Sequence, residues 1–267
     1  MLDLTVPEHA YMIGFIQADG HLYAQSRNRG NLSVELSVKD SDILFKLQSF
    51  IGLGSVSERI RDTNFSKAYA CATWRVCGRD FREQLVKCGV SVGKKSETAG
   101  PPRTPFSLVD YLRGFSDGDG SLGLTATGLP FWSVVTSSQA IAACYGNFIF
   151  DVTGLRKTLN RNTRDGVFNI SVFKEDAQTV VRAMYYEGCF CMDRKRNKAG
   201  EVLKWGRPHY MKKMCRRVPW ATEDEIFVAA HSVEEAVRAL GRTEKSVGMK
   251  KWRLRQKTKL ERGFYAC

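Results

Sequence analysis

Two decapeptides that lie 100 residues apart place the strongest constraint on the fold of this chain. The first, YMIGFIQADG, covers residues 11–20, and the second, YLRGFSDGDG, covers residues 111–120. Tyr, Gly, Phe, Asp and Gly recur at matching places in the two stretches. Such self-similarity at a fixed period indicates two copies of one structural unit, each about as long as a small domain.

Each decapeptide ends a predicted helix on an acidic residue. Apolar residues at helical spacing precede Asp19, and Gly20 is typical of the position just past a helix C-terminus. Asp119 and Gly120 repeat this arrangement. The carbonyl end of a helix repels an anion by roughly 0.3–1 kcal/mol. Helix stability therefore does not explain the two acids, and we expect a cation beside them.

The sequence between the acidic helices alternates between polar and apolar residues, as in a sheet with one buried face. Two strand patterns, a helix (DSDILFKLQSFIG), two further strand patterns and a second helix (RDFREQLVKCG) follow the first decapeptide. The second copy repeats this order, with LRKTLN and VFNISVF as its last two strands. The predicted class is α+β, and each unit has the order helix, two strands, helix, two strands, helix.

These patterns divide the chain into two repeats and a C-terminal extension. A stretch that contains Gly and Pro separates the repeats, as is typical of a linker. The predicted boundaries are 1–99 for the first unit, 100–106 for the linker, 107–199 for the second unit, 200–218 for a basic linker and 219–260 for a C-terminal domain.

The positive charge of the chain is concentrated in its C-terminal part. The net charge is +13; residues 190–267 carry 20 Lys/Arg and 9 Asp/Glu, whereas residues 1–189 carry 21 and 19. Such asymmetry indicates a polyanionic partner, with nucleic acid favoured over an anionic membrane. A membrane-bound helix needs a broad apolar face, which the basic stretch DRKRNKAGEVLKWGRPHYMKKMCRR lacks.

The start of the chain and its cysteines indicate an intracellular protein. Residues 1–15 contain acids and a proline where a signal peptide would be basic and then apolar, so we expect a cytoplasmic location. Eight irregularly spaced cysteines are typical of reduced thiols. Cys189, Cys191, His209 and Cys215 form one candidate zinc cluster. The C-x-C spacing matches a structural zinc site poorly, so buried thiols are favoured.

The two decapeptides resemble the LAGLIDADG motif in its single-chain, two-copy form. The resemblance covers roughly residues 8–200, and the predicted element order is similar to the αββαββα fold of that family. It implies two pseudo-symmetric units that form a DNA-binding saddle. Most members of the family are homing endonucleases that cut double-stranded DNA, while some are RNA maturases and some are transcription factors.

The resemblance also implies a role for the two acids. The motif helices are expected to pack side by side and to bring Asp19 and Asp119 together, where metal ions would bridge them to the scissile phosphates. Mg²⁺ or Mn²⁺ is the expected ion, and Ca²⁺ is expected to support binding without cleavage. The backbone carbonyls of Ala18 and Gly118 are candidate further ligands. The small residues that would allow the helices to touch are Gly14, Ala18, Gly114 and Gly118.

Three lysines are candidates for ordering the attacking water and balancing phosphate charge, as the resemblance implies. Lys39 follows the second predicted strand, and Lys95 and Lys195 follow the last helix of their repeats. The second repeat has Ser137 and Ser138 where Lys39 would be matched. A solvated surface role is the alternative for each lysine.

Base recognition is expected to fall to the polar faces of the strands, which this fold lays along the major groove. Arg suits guanine, and Gln or Asn suits adenine, whereas some of these residues are expected to contact only phosphate. We expect a monomer that cuts a long asymmetric target across the minor groove and leaves short 3′ overhangs. The candidates are Gln25, Arg27, Arg29, Ser33, Glu35, Ser37, Arg59, Arg61, Thr73, Arg75, Thr125, Thr127, Trp132, Arg156, Thr158, Asn160, Asn169 and Ser171.

The C-terminal extension shows three capped helical patterns and resembles a Myb-like helix-turn-helix domain. Thr222 with Glu225, and Ser232 with Glu235, are predicted capping boxes, and Thr243 is predicted to open the third helix. A protein-interaction bundle is the alternative. The DNA-binding candidates on the third helix are Lys245, Lys250, Lys251 and Arg253.

Two functions from different classes are compatible with these features. One is a site-specific DNA endonuclease, and the other is a nucleic-acid binder that does not cut, either an RNA maturase or a repressor. A pure binder has no use for paired acids that face phosphate. The presence of both Asp19 and Asp119 therefore favours the nuclease.

Overall fold

In the computed structural model, helices and strands alternate along the first repeat in the predicted order. The described residues are 2–25, 29–62, 67–93, 97–211 and 220–263, with side chains to residue 255 in the last range. The elements of the first repeat are α1 (Pro7–Asp19), β1 (Gly20–Ala24), β2 (Gly30–Ser37), a 3-10 turn (Val38–Asp40), α2 (Asp42–Ile51), β3 (Ser55–Arg61), β4 (Tyr69–Val76) and α3 (Arg79–Lys87).

The second repeat follows the same order except at one strand. Its elements are α4 (Leu108–Asp119), β5 (Gly120–Leu124), β6 (Pro130–Thr136), α5 (Gln139–Thr153), β7 (Phe168–Phe173) and α6 (Lys174–Met184). The prediction of a strand at LRKTLN is wrong, because residues 155–160 do not lie in a strand. The side chain of Lys157 donates to the backbone oxygen of Ser171 over 2.7 Å, and thereby takes an acceptor that β7 could offer to a neighbouring strand.

The helix after the second repeat also corrects a predicted boundary. Helix α7 spans Asp193–Lys204, so residues 200–204 complete a helix and do not begin a linker. The first compact unit of the chain is Met1–Arg207, which contains both repeats and α7.

Each repeat contributes one antiparallel sheet. The first sheet has the order β1-β2-β4-β3, and the second has the order β5-β6-β7. Gly20 pairs with Val34 in the first sheet, and Gly120 pairs with Val134 in the second. The offset of 100 residues is thus preserved in the strand register. Successive side chains of a strand point to opposite faces, and the buried face of each sheet contains one fully buried tryptophan, Trp74 or Trp132.

The second compact unit, Pro208–Cys267, contains the three predicted helices of the extension. They are α8 (Thr222–Ala230), α9 (Val233–Leu240) and α10 (Glu244–Gly263), and they enclose a small core of Val228, Ala236 and Val247. No helix of the described part of the chain is long and apolar enough to cross a membrane.

One of the two predicted capping boxes is present. Glu235 N donates to Ser232 Oγ over 3.2 Å, and Ser232 N donates to Glu235 Oε2 over 2.9 Å. The box predicted for Thr222 is wrong, because Thr222 is already inside α8. Ala221 precedes that helix, and its N–H donates to Asp224 Oδ2 over 3.3 Å.

Candidate active site and nucleic-acid interface

Helices α1 and α4 pack against each other through reciprocal glycine contacts. A Cβ atom placed on Gly14 would lie 2.0 Å from the backbone oxygen of Tyr111, and one placed on Gly114 would lie 2.0 Å from the backbone oxygen of Tyr11. No side chain can occupy either space, so the two backbones touch. The predicted close packing at Gly14 and Gly114 is confirmed.

The same helix pair is joined by reciprocal tyrosine hydrogen bonds. Tyr11 Oη donates to Asp117 Oδ2 over 2.7 Å, and Tyr111 Oη donates to Gln17 Oε1 over 2.5 Å. Asp117 also accepts from Tyr185 Oη over 2.6 Å. Burial raises the pKa of the Asp117 carboxyl, and the hydrogen bonds it accepts only partly oppose that shift.

The two acids of the motifs are the last residues of α1 and α4 and lie at the same end of the helix pair. A Cβ atom placed on Gly118 would lie 2.9 Å from Asp19 Oδ2 and 2.5 Å from the Cβ of Ala18. Because Asp119 is the next residue after Gly118, the carboxylate of Asp19 is beside the turn that carries the second acid. Asp19 is half-buried, whereas Asp119 is exposed.

A cavity of about 200 Å³ opens beside Asp119. Its polar lining combines Asp119 with the amide-bearing Gln17 and the hydroxyl-bearing residues Thr136 and Ser137. The other lining residues are Ala18, Ala99, Phe115, Val135 and Val167.

The donors at this end of the helix pair fit a hard divalent cation. Carboxylates and backbone carbonyls are the ligands of Mg²⁺, which is usually held by one or two carboxylates together with substrate phosphates and water. Among the described residues, no group of three or more His, Cys, Asp or Glu side chains could hold a metal ion.

The candidate zinc cluster is not assembled within the described residues. Cys189 and Cys191 are buried in the first compact unit, with their Sγ atoms 3.8 Å apart. His209 belongs to the second unit, and Cys215 lies outside the described residues. The favoured assignment of buried thiols is confirmed for Cys189 and Cys191.

Lys195 lies at the C-terminal turn of α4, next to the second acid. It is only 3% exposed, and its Nζ donates to the backbone oxygens of Ser116, over 3.1 Å, and Gly120, over 2.5 Å. Burial lowers the pKa of Lys195, while the nearby Asp117 opposes that shift. The ammonium group therefore compensates the carbonyl end of the helix that presents Asp119.

The residues beside Lys195 bind the first repeat. Arg194 donates to both carboxylate oxygens of Asp40 over 2.6 and 2.8 Å. Lys46 Nζ donates to Asp193 Oδ1 over 2.6 Å. Three consecutive residues of α7 thus contact α2, the turn after β2 and the end of α4, respectively.

The other predicted lysines have different outcomes. Lys39 is exposed in the 3-10 turn after β2, and Lys95 lies outside the described residues. Lys39 and Ser138 make the same local contact after the second strand of their repeats. Lys39 N donates to Ser37 Oγ over 3.4 Å, and Ser138 N donates to Thr136 Oγ1 over 3.1 Å.

The polar candidates of the first sheet share one face, as the strand pairing requires. Ser33 pairs with Arg75, and Glu35 pairs with Thr73. The residues of this face are His21, Tyr23, Asn31, Ser33, Glu35, Ser37, Ser55, Ser57, Arg59, Arg61, Tyr69, Cys71, Thr73 and Arg75. We call this set the first polar face.

The turn between β1 and β2 extends this surface. Gln25 and Arg29 are exposed at its ends, and Gln25 N donates to the backbone oxygen of Arg29 over 2.7 Å. The candidate Arg27 lies between them, outside the described residues.

Glu35 organises the centre of the first polar face. Its Oε2 accepts from Arg59 Nη2 over 2.5 Å and from Thr73 Oγ1 over 3.3 Å, and its Oε1 accepts from Arg61 Nη2. Partial burial disfavours the ionised form of Glu35, but the hydrogen bond from Arg59 and the charge of Arg61 outweigh it and lower the pKa of this carboxyl.

The second sheet presents a face of different chemistry. Ser171 pairs with Ser133, and Asn169 pairs with Val135. This second polar face consists of Ser121, Gly123, Phe131, Ser133, Val135, Asn169, Ser171 and Phe173. In the turn that follows β5, Thr125 Oγ1 lies 3.0 Å from Thr127 Oγ1. This face carries hydroxyl, amide and apolar groups where the first polar face carries arginines.

The prediction that Trp132 contacts DNA is wrong. Trp132 pairs with Leu122 and Val172 on the opposite face of the sheet, is fully buried, and packs against Tyr145 with ring centroids 5.4 Å apart. Its place in an alternating strand could have shown this, because both of its sequence neighbours belong to the second polar face.

Three further candidates lie on the segment that is not a strand. Arg156, Thr158 and Asn160 are exposed at alternate positions. The guanidinium of Arg156 lies over the ring of Phe150, 4.3 Å from its centroid. These side chains remain accessible without the strand ladder that was predicted for them.

The four DNA-binding candidates on α10 divide into two groups. Lys245 and Arg253 are exposed. Lys250 Nζ donates to Glu225 Oε1 over 2.5 Å, and Lys251 Nζ donates to the backbone oxygen of His231. Lys250 and Lys251 thus make contacts inside their own unit, whereas Lys245 and Arg253 keep the accessibility expected of DNA-binding side chains.

No protein-family model and no curated protein matches this chain. Among solved structures, it is similar to mesophilic variants of the homing endonuclease I-DmoI, with 11% identity, coverage of 73% of this chain and 99% of that chain, and a TM-score of 0.49. It is also similar to the LAGLIDADG meganuclease I-CpaMI bound to uncleaved DNA, with 11% identity, coverage of 73% and 90%, and a TM-score of 0.47. A third similar structure is the LAGLIDADG meganuclease I-AabMI bound to uncleaved DNA, with 13% identity, coverage of 73% of this chain and 87% of that chain, and a TM-score of 0.45. At these values the function of this chain has to be inferred from its own residues.

Proposed function

We propose that this protein is a site-specific, divalent-metal-dependent endonuclease of double-stranded DNA, of the LAGLIDADG homing endonuclease kind. The observation that carries the proposal is the position of Asp19 Oδ2, 2.9 Å from a Cβ built on Gly118. Two carboxylates from two repeats are thereby brought to one end of a helix pair whose backbones touch. Helix stability disfavours acids there, so a function that needs a cation explains them.

The residues of the chain have distinct parts in the proposed reaction. Asp19 and Asp119 would hold Mg²⁺ or Mn²⁺, with the carbonyls of Ala18 and Gly118 as candidate further ligands. When bound, such an ion supplies a Lewis acid for phosphodiester hydrolysis. Lys195 compensates the carbonyl end of α4 and so favours the outward presentation of Asp119.

Lys39 follows the second strand of the first repeat, and Ser137 and Ser138 follow the second strand of the second repeat. We assign Lys39 to ordering the attacking water in the first half of the site. Because the second half has neutral hydroxyl groups where the first half has a cation, the two DNA strands are expected to be cut at different rates. Lys95 is proposed to balance phosphate charge from the first repeat.

The polar faces of the two sheets are proposed to contact the DNA on either side of the acids. Arginine matches guanine edges, and amides match adenine, and the two faces differ at almost every position. A long asymmetric target follows, cut across the minor groove with short 3′ overhangs. Since both repeats belong to one chain, we propose that the protein acts as a monomer. We also propose that it acts inside the cell, in the cytoplasm.

A selection from a duplex library tests the proposal. The protein is incubated with randomised double-stranded DNA and Mg²⁺, and cleaved ends are sequenced, while a parallel binding selection is made with Ca²⁺. We expect one family of cleaved targets that is also enriched by binding. Tight binding without any cleaved product would exclude the endonuclease and favour a repressor, and preference for a structured RNA over every duplex would favour a maturase.

A further inference from the structure

The first polar face carries a single acid among its described residues, Glu35. A surface that binds a polyanion gains nothing from a carboxylate, because the carboxylate repels phosphate. Yet this acid lies at the centre of the face and contacts two of its three arginines, Arg59 and Arg61. Its position therefore needs an explanation beyond affinity for DNA.

Glu35 holds the two arginines and leaves them able to bind something else. Each arginine uses one terminal nitrogen, Nη2, on the carboxylate, and a guanidinium has five N–H donors. The side chains of Arg59 and Arg61 remain 56% and 47% exposed, while that of Glu35 is 25% exposed. The two arginine side chains are therefore held by the acid and are more accessible to a ligand than the acid is.

The carboxylate discriminates between the two kinds of acceptor that DNA offers. The guanine edge presents neutral acceptors, O6 and N7, to an arginine fork, and a guanidinium can bind them while it remains paired with Glu35. A phosphate is an anion that competes for the same guanidinium and is repelled by the carboxylate. Glu35 thus disfavours the phosphate contacts that dominate binding to unrelated DNA.

We propose that Glu35 is a specificity-determining residue, which orients Arg59 and Arg61 towards guanine edges and suppresses their binding to phosphate. This inference rests on the proposed function, because it assumes that the first polar face contacts DNA. Its effect is confined to one half of the target, since the equivalent position of the second sheet is Val135. Val135 is 42% exposed and carries no charge.

The substitution Glu35→Gln tests the inference with a matched control. Glu58→Gln removes the same charge from β3, at an exposed position on the opposite face of the sheet, where Glu58 pairs with Ala72. Binding of wild type and both variants is measured with Ca²⁺ on the selected target, on an unrelated duplex, and on targets with guanine replaced in either half.

For Glu35→Gln we expect about tenfold tighter binding to the unrelated duplex, with little change on the target. The slope of log affinity against log salt on unrelated DNA should steepen by about 0.9–1.8, because one or two arginines become available to phosphate. Discrimination against guanine replacement should fall only in the half that contacts the first polar face. Glu58→Gln should leave the ratio of target to unrelated binding unchanged.

The outcomes separate this inference from the proposed function. If the wild type binds its target and Glu35→Gln leaves the ratio of target to unrelated binding unchanged, the proposed role of Glu35 is overturned while the proposed function stands. An equal change in Glu58→Gln would also overturn that role, since any lost negative charge would then suffice. A wild type that binds no duplex would overturn the proposed function, and the role of Glu35 with it.

Discussion

The hydroxyl of Tyr11 on α1 donates a hydrogen bond of 2.7 Å to the buried carboxylate of Asp117 on α4. Its repeat equivalent, Tyr111, makes the reciprocal bond of 2.5 Å to Gln17, a neutral amide. The two halves therefore share one geometry and differ in charge. Asp117 lies two residues before the candidate metal ligand Asp119, so this bond also supports the turn that presents it.

This asymmetry predicts unequal effects of two matched substitutions. Tyr11→Phe removes a donor from a buried carboxylate and should lower the free energy of unfolding by about 1.5–3 kcal/mol, whereas Tyr111→Phe should cost about 0.5–1.5 kcal/mol. Urea unfolding of both variants measures the difference. Equal losses would mean that Asp117 is protonated in the folded protein.

The Glu35 cluster predicts a pH dependence of stability. Because the pKa of Glu35 is lowered in the folded protein, the pairing stabilises the fold fully above the ordinary glutamate pKa. That stabilisation is lost as the pH falls through the lowered value. This stabilisation should be small, as for other largely exposed ion pairs. NMR titration should find the Glu35 pKa below its usual range in wild type and closer to that range in Arg59→Met.

The sequence predicted those parts of the fold in which local pattern and tertiary packing agree. The paired glycines and terminal acids specified the helix pair, and alternation specified the first polar face. Prediction failed where a tertiary contact decided the outcome. The side chain of Lys157 donates to a backbone oxygen of β7, where a paired strand was predicted. Lys250 binds Glu225 on another helix. Neither partner can be identified from local periodicity.

The touching backbones of α1 and α4 predict a strong effect of one added methyl group. In Gly114→Ala the new Cβ would lie 2.0 Å from the backbone oxygen of Tyr11, so the helices must separate. Overpacking usually costs about 1–3 kcal/mol, and we expect the upper end here. Gly200→Ala is the matched control, because a Cβ on Gly200 in α7 meets nothing within 4 Å. It should stabilise the helix by about 0.5–1 kcal/mol, as thermal unfolding of both variants would show.

The two acids predict a loss of cleavage without a loss of binding. Asp19→Asn and Asp119→Asn preserve side-chain shape but remove a charged metal ligand. Each should abolish double-strand cleavage with Mg²⁺ and leave the affinity for target in Ca²⁺ within about a few fold, because most affinity comes from phosphate contacts elsewhere. Gel assays on a supercoiled target plasmid distinguish nicking from double-strand breaks. Wild-type cleavage by either variant would remove that residue from the metal site.

Removal of the second compact unit predicts a change in both affinity and salt dependence. A chain that ends at Arg207 retains the helix pair, both sheets and α7, so it should fold and keep its metal site. The deleted residues carry 14 Lys/Arg and 7 Asp/Glu, and Lys245 and Arg253 of α10 are exposed.

Each lost phosphate contact should make the negative slope of log affinity against log salt shallower by about 0.9. We therefore expect the shortened protein to bind its target more weakly, with a shallower salt dependence and a footprint that is shorter at one end. Salt titration and footprinting of both chains on the same duplex provide the measurement. Basic helices that contact DNA release counterions when they bind, so their removal must make the salt dependence shallower. Identical slopes and footprints would therefore mean that α8, α9 and α10 bind protein, as in the alternative of an interaction bundle.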